Sequence, residues 1–199
     1  MILYLDFDGV LHDSEVYVVR REPVLRSKIP GAVLFQHTDR LIECLATRPD
    51  VRIILSTSWV PRLGFDRTVA FLPPDLRARV VGATFHRHAN ILKNDWFLLM
   101  RYVQIEAHAR RHRLTDWLAI DDDDVGWPQE MRHHLVHCAD PTLGISEPRC
   151  FAQLNTALAS GGRHVQLELA SCEHDWQPDG QTLTAVRWTC SKCLKSKWG

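Results

Sequence analysis

Ile2-Leu3-Tyr4-Leu5-Asp6-Phe7-Asp8-Gly9-Val10-Leu11 decides how the rest of this chain is read. Four β-favouring apolar residues run into two carboxylates one residue apart, then into a glycine that lets the chain leave a strand sharply. The stretch predicts a buried strand with Asp6 and Asp8 at its C-terminal end. In an open α/β sheet that edge binds ligands, because strand ends and connecting loops form a crevice there. Side chains alternate along a strand, so Asp6 and Asp8 share a face if the extended path continues. They then repel each other unless a cation lies between them, and a hard divalent ion such as magnesium suits such a pair. Asp-x-Asp-Gly is also an ordinary turn sequence, so its meaning rests on what accompanies it.

Companions follow in order. Val51-Arg52-Ile53-Ile54-Leu55 is a second buried strand running into Ser56-Thr57-Ser58-Trp59, and hydroxyls with backbone N–H groups at a strand end can hold a phosphoryl oxygen. Adjacent side chains alternate, so spacing leaves both Ser56 and Thr57 open. A third strand is expected at Val80 to Thr84. A long helix capped by Asn94 and reaching about His112 should carry Trp96, Leu99, Val103 and Ala107 near one face. A basic residue is needed here to neutralise a nucleophile and a phosphoryl group, and Arg101 and Lys93 are the candidates. The fourth strand, Trp117-Leu118-Ala119-Ile120, delivers Asp121-Asp122-Asp123-Asp124. Acid runs are usually solvated, but this one directly follows an apolar strand, which puts its first members at the sheet edge of Asp6 and Asp8.

Around these, a hairpin-like flap is expected between His12 and His37, from strands at Val16 to Arg20 and Ala32 to Phe35, with Pro23, Pro30 and Gly31 as punctuation. Thr38 or Asp39 can cap a helix carrying Leu41, Ile42 and Leu45. Leu135 to Cys138 reads as a fifth strand. Ser146 caps a last helix, with Pro148 in its first turn and Phe151, Leu154 and Leu158 toward the core. His133, His134 and His137 read as packed or surface histidines, since no acid or cysteine partner lies at ligand spacing.

Leu5-Asp6-Phe7-Asp8-Gly9-Val10-Leu11, followed in order by the strand-hydroxyl and strand-Asp-Asp elements, resembles the haloacid dehalogenase-like (HAD) superfamily over about residues 1–160. The Thr-Ser-Trp spelling at 57–59 and Arg101-Tyr102-Val103-Gln104-Ile105 resemble one branch, associated with RNA-repair proteins. The resemblance implies a three-layer α/β/α Rossmann-like sandwich with a mainly parallel sheet. It further implies a phosphatase in which Asp6 forms an aspartyl-phosphate and Asp8 is the acid and base. Magnesium would be held by Asp6, the Asp8 carbonyl and Asp122, with Asp121 close behind. Thr57 and Arg101 would stabilise the phosphoryl oxygens, with Ser56 and Lys93 as alternatives. The substrate would be a phosphomonoester. Phosphotransfer to another acceptor and a catalytically silent HAD-like scaffold are the competing readings.

Ser160-Gly161-Gly162 marks a boundary, dividing the chain into a domain at 1–160, a linker or strand at 161–171 and a small segment at 172–199. Cys172-x-His174 and Cys190-x-x-Cys193 supply two ligand pairs for a structural, tetrahedral zinc, and a segment this small needs a staple. Cys-x-His-x-Trp with Trp-x-Cys-x-x-Cys resembles a zinc ribbon of β type. Its end carries Arg187, Lys192, Lys195 and Lys197 with Trp188 and Trp198 and no acid, a composition suited to a nucleic-acid end as well as to protein docking. In the whole chain of 199 residues Lys plus Arg equals Asp plus Glu, 24 each, so overall charge points to neither nucleic acid nor membrane. With no apolar run approaching the roughly 20 residues of a bilayer span and no basic, apolar leader, the expectation is a cytoplasmic protein whose scattered Cys44, Cys138 and Cys150 are reduced core residues.

Overall fold

The computed structural model describes residues 1–85, 93–160, 176–181, 186–190 and 196–198, with residues 93–94 and the last three stretches as backbone only. In chain order the elements are β1 (Ile2–Leu5), β2 (Val16–Val19), β3 (Glu22–Leu25), α1 (Thr38–Leu45), β4 (Arg52–Leu55), α2 (Trp59–Leu63), α3 (Phe65–Ala70), α4 (Pro74–Arg77) and β5 (Val80–Ala83). Then come α5 (Lys93–Trp96), α6 (Arg101–Arg111), β6 (Trp117–Asp121), β7 (Leu135–His137) and α7 (Pro148–Ala159).

Five strands form one sheet in the order β5-β4-β1-β6-β7, and every pairing in it is parallel. The first strand is central, so its end is flanked by the ends of β4 and β6. Alternation along β1 explains the layers: Leu3 and Leu5 pack with Leu41 and Leu45 of α1 and Leu154 and Leu158 of α7. Tyr4, pointing the other way, packs with Ile105 and Ala109 of α6 and with Trp117 and Trp127. Both faces of β1 are therefore covered, as an all-parallel sheet requires, and its three inner residues are fully buried. The expected α/β/α sandwich is the observed fold.

Five local readings change, the first at α1, whose N-cap is His37 rather than Thr38 or Asp39, the Thr38 hydroxyl donating to the Phe35 carbonyl. The second flap strand is β3 at Glu22–Leu25, not Ala32 to Phe35, and it pairs with β2 through a two-residue turn in which Arg20 and Arg21 have φ of 51° and 69°. Pro23 misled because it reads as a breaker. It faces Val18 next to the turn-closing Val19–Glu22 pair, a position whose N–H points away from the partner strand, so nothing is lost there. The long helix begun at Asn94 is instead broken between Trp96 and Arg101, where α6 starts. The Gln104 amide donates to the carbonyls of Trp96 and Leu99 at 3.2 and 3.0 Å, satisfying groups that a continuous helix would have bonded. The inward face of α6 is accordingly Gln104, Ile105, His108 and Ala109, while Val103 and Ala107 face outward. Glu147 rather than Ser146 caps α7, accepting from the Cys150 N–H at 2.7 Å; Ser146 Oγ bonds His37 instead.

Cys44, Cys138 and Cys150 are free and buried. His134 is buried with its Nδ1 on the Trp117 carbonyl and its ring stacked on Trp117, and His137 Nε2 meets the Asp122 carbonyl. Beyond residue 175, β8 (Trp176–Gln181), β9 (Val186–Cys190) and β10 (Ser196–Trp198) form a three-stranded antiparallel sheet in the order β10-β9-β8, with Trp176 opposite Cys190 and Trp188 opposite Lys197. Cys190 closes β9; Cys172, His174 and Cys193 lie outside the described residues, as does the side chain of Lys93. No helix among the described residues is long and apolar enough to cross a membrane.

Candidate active site

Three parallel strands end side by side, β4, β1 and β6, and each delivers polar residues to the same edge. From β1 come Asp6, buried, and Asp8, a quarter exposed. The chain then leaves in a tight turn, with the N–H groups of Val10 and Leu11 on the Phe7 carbonyl at 3.2 and 2.9 Å. Gly9 makes that exit possible: its φ is +69°, and a Cβ there would lie 2.2 Å from Asp122 Oδ2.

β6 brings Asp121 and Asp122 alongside. Asp6, Asp121 and Asp122 each offer an oxygen, all within 4.8 Å of one another. Arg101, at the start of α6, spans the group: its Nη2 donates to Asp6 Oδ2 at 2.8 Å and its Nε lies 3.0 Å from Asp121 Oδ2. The second contact is close as an ion pair but out of line for a hydrogen bond, so Asp121 Oδ2 is buried without a hydrogen-bond partner. Two acceptors fix the remaining Arg101 nitrogen, Nη1: the Ser56 carbonyl and Gln104 Oε1. From β4, the Thr57 hydroxyl lies near enough to Asp6 to lower its carboxyl and accepts from the Trp59 N–H at 3.3 Å, while Ser56 Oγ is buried with no partner.

One guanidinium does not balance these acids. Burial pushes the Asp6 carboxyl up against the lowering influence of Arg101, with Asp8 adding to the rise and the Phe7 N–H and Thr57 hydroxyl opposing it. Burial likewise raises Asp121 well above the usual carboxylate range, and lifts Asp122 to about 7 with the charge of Asp6 contributing. Burial works against the Arg101 charge, yet Asp6, Asp121 and Asp122 outweigh it and hold the guanidinium more firmly protonated than usual. Excess negative charge, hard oxygen donors converging within one ion's reach and an orphaned Asp121 oxygen together fit a divalent cation.

Asp8 is different. Its carboxylate turns away from the cluster, and the Trp59 indole N–H forks onto its two oxygens at 2.9 and 3.0 Å, with His12 Nε2 3.1 Å from Oδ1. Of the residues expected from sequence, Asp6, Asp8, Thr57, Arg101, Asp121 and Asp122 are thus brought to one edge, and Ser56 contributes its carbonyl rather than its hydroxyl. Three contributors were not foreseen: His12, Trp59 as a donor, and Gln104. Trp59 and Gln104 stood inside quoted stretches without a role. His12 sits four residues after Asp8, a spacing that brings residues together only where the chain turns back sharply, as it does here at Gly9.

The family described as the HAD domain in Swiss Army Knife RNA repair proteins matches residues 2–150. The chain belongs to this HAD family. The match covers every residue of the carboxylate cluster, Arg101, and the hydroxyls of β4, and stops before the last helix ends. No curated protein and no solved structure matches the chain. As a HAD-family domain it carries the acidic cluster at the expected sheet edge, and Asp8 stands apart from that cluster in a pocket of aromatic rings.

Proposed function

We propose that this HAD domain is a magnesium-dependent phosphatase that hydrolyses a phosphomonoester through an aspartyl-phosphate on Asp6. The observation that carries the reading is Arg101 joined to both Asp6 and Asp121 beside Asp122, at the end of the central strand. Asp6, the Asp8 carbonyl and Asp122, with Asp121 next to them, would hold the ion. When bound, magnesium would screen the repulsion between the carboxylates and the incoming phosphoryl group.

The chain's own residues account for the rest. An Asp6 oxygen attacks phosphorus as the bond to the leaving oxygen breaks, and Asp8 gives that oxygen its proton. In the second half Asp8 takes a proton from water, the water oxygen bonds phosphorus, and the Asp6–phosphorus bond breaks to release inorganic phosphate. Arg101 and Thr57 stabilise the equatorial oxygens as charge spreads over them. A silent scaffold fits the site poorly, because two buried acids and a half-buried third beside a single guanidinium are costly to keep without a ligand.

The substrate reading is a nucleic-acid end. The family's association with RNA repair supports it, as does the absence of room in the sequence for a large cap, which leaves an open edge suited to a large substrate. In this reading residues 172–199 are a separate zinc ribbon, with Cys172, His174, Cys190 and Cys193 as ligands and residues 161–171 joining it to the domain at 1–160. Arg187, Lys192, Lys195 and Lys197 with Trp188 and Trp198 supply phosphate contacts and stacking surfaces.

Turnover of phosphomonoesters by magnesium-loaded protein tests the core of the proposal, and activity unchanged in Asp6→Asn would end it. A comparison of a small aryl phosphate with 5′- and 3′-phosphorylated oligonucleotides, in the whole chain and in one lacking residues 166–199, tests the substrate. Oligonucleotide turnover should fall much further than aryl phosphate turnover and lose its salt dependence; equal loss on both would remove the ribbon's role. Metal analysis should find about one zinc per chain, and unaltered zinc in Cys190→Ser would rule out these ligands.

A further inference from the structure

Asp8 is held by a built structure rather than by solvent. Trp59 and His12 are buried, with essentially no exposure, and their rings belong to one aromatic cage. His12 packs on Phe35 at 4.8 Å and on Trp59 at 5.6 Å. Phe7 and Phe35 each meet the Trp59 ring edge to face at 5.5 Å, and Phe71 meets it at 5.3 Å. Edge-to-face contacts on several sides leave the indole no freedom to swing. Phe35 reaches the cage from a backbone with φ of 61°, a strained conformation for a bulky residue that persists only where its surroundings impose it.

What this cage presents to Asp8 is two ring nitrogens. The Trp59 N–H can only donate, and it straddles both carboxyl oxygens, so one of them accepts it whichever oxygen carries a proton. His12 Nδ1 is buried with no hydrogen-bond partner. The tautomer with hydrogen on Nε2 donates to Asp8 and leaves no buried N–H without an acceptor, so it is the one this pocket favours. Two directed donors in a rigid apolar wall would be an expensive arrangement for a carboxylate needed only as a surface charge.

We infer that Trp59 and His12 are positioning residues for proton transfer, holding the Asp8 carboxyl in one orientation toward the leaving oxygen. The inference rests on the phosphatase reading and adds to it the groups that aim its acid. In the first step the phosphorus–oxygen bond to the leaving group breaks while the Asp8 proton moves to that oxygen. A misaimed Asp8 slows this step in proportion to how much the leaving oxygen needs the proton. Phenolate is a poor leaving group and needs it; 2,4-dinitrophenolate departs as an anion and does not.

The test is kcat/KM on phenyl phosphate and on 2,4-dinitrophenyl phosphate, with magnesium-loaded full-length protein. Trp59→Phe keeps the ring and removes the N–H, and His12→Phe removes the second donor. Each should lower kcat/KM on phenyl phosphate by about 10- to 100-fold, within the range of general acid catalysis. On 2,4-dinitrophenyl phosphate the loss should stay below about threefold, which also shows that the variants are folded. His12→Gln, whose amide can donate from nearly the place of Nε2, should recover part of the loss. Equal falls on both substrates would mean a merely structural cage, and no fall on phenyl phosphate would mean that aiming is not needed; either overturns the inference. Asp8→Asn separates this from the parent reading. If Asp8→Asn shows the leaving-group signature and the cage variants do not, only the inference fails. If Asp8→Asn lacks it, the assignment of Asp8 as the acid fails as well.

Discussion

Asp6 and Asp8 leave the same strand two residues apart, and their surroundings are opposite in kind. Asp6 sits among charges, with Arg101, Asp121 and Asp122 around it and little water. Asp8 sits against rings, aimed by two ring nitrogens and a quarter exposed. The difference teaches how one residue type is given two tasks. In the proposed reaction, a carboxylate paired with a guanidinium in a metal-ready cluster would serve in attack, whereas one that a fixed indole N–H can hold with or without its proton would serve in proton carriage.

The sharpest way to break this contrast is to neutralise each acid in turn. Asp6→Asn keeps the shape and removes the proposed nucleophile, so kcat/KM should fall at least about 10³-fold, some 4 kcal/mol, on every phosphate ester regardless of leaving group. Asp8→Asn should fall as far only on esters with poor leaving groups. Identical profiles for the two variants would mean that the two acids do not divide the work.

A second test removes the charge side's one counterion. In Arg101→Met, Asp6 and Asp121 lose their only paired cation among the described residues, and breaking such a buried pair costs about 3–5 kcal/mol. Urea unfolding in metal-free buffer reads that loss. Adding Asp121→Asn should recover part of it, because one of the stranded carboxylates is then neutral; strict additivity would show that the two residues do not interact.

The smallest effect expected has the opposite sign. Asp122 is raised to about 7 by burial and by Asp6, so the folded protein holds this proton more tightly than the unfolded chain does. Its charged form therefore costs stability above about pH 7, and the cost vanishes below about pH 4, where the carboxyl is protonated in both states. Asp122→Asn should accordingly stabilise the metal-free protein by about 1 kcal/mol at pH 8, well under the roughly 4 kcal/mol of the unscreened shift because Asp122 is only half-buried, with no gain near pH 4, while weakening magnesium binding. A destabilised Asp122→Asn at pH 8 without metal would show that the cluster's charge excess is not the controlling feature.

The sheet was legible because its strands are short runs of buried apolar residues, a signal that depends on local composition. Their ends were legible for the same reason: a carboxylate or hydroxyl that follows such a run has nowhere to go but the edge. The flap and α6 were read less well. Pro23 is tolerated because its nitrogen faces away from the partner strand, and the break before Arg101 is repaired by the Gln104 side chain; the first depends on pairing geometry and the second on a side-chain contact, neither of which hydrophobic patterning reports.

By itself the sequence determined the α/β class, the burial of Ile2–Leu5 and the carboxylates that strand and Trp117–Asp121 carry to one edge, because alternation and burial are properties of neighbouring residues. Only the tertiary structure decided that Arg101 bridges Asp6 to Asp121, that Ser56 serves through its carbonyl, and that Trp59 and His12 take hold of Asp8. Those contacts join residues as far apart in sequence as Asp6 and Arg101. Their direction is set by how rings and helices pack once the sheet has formed, which no local pattern of residue types specifies.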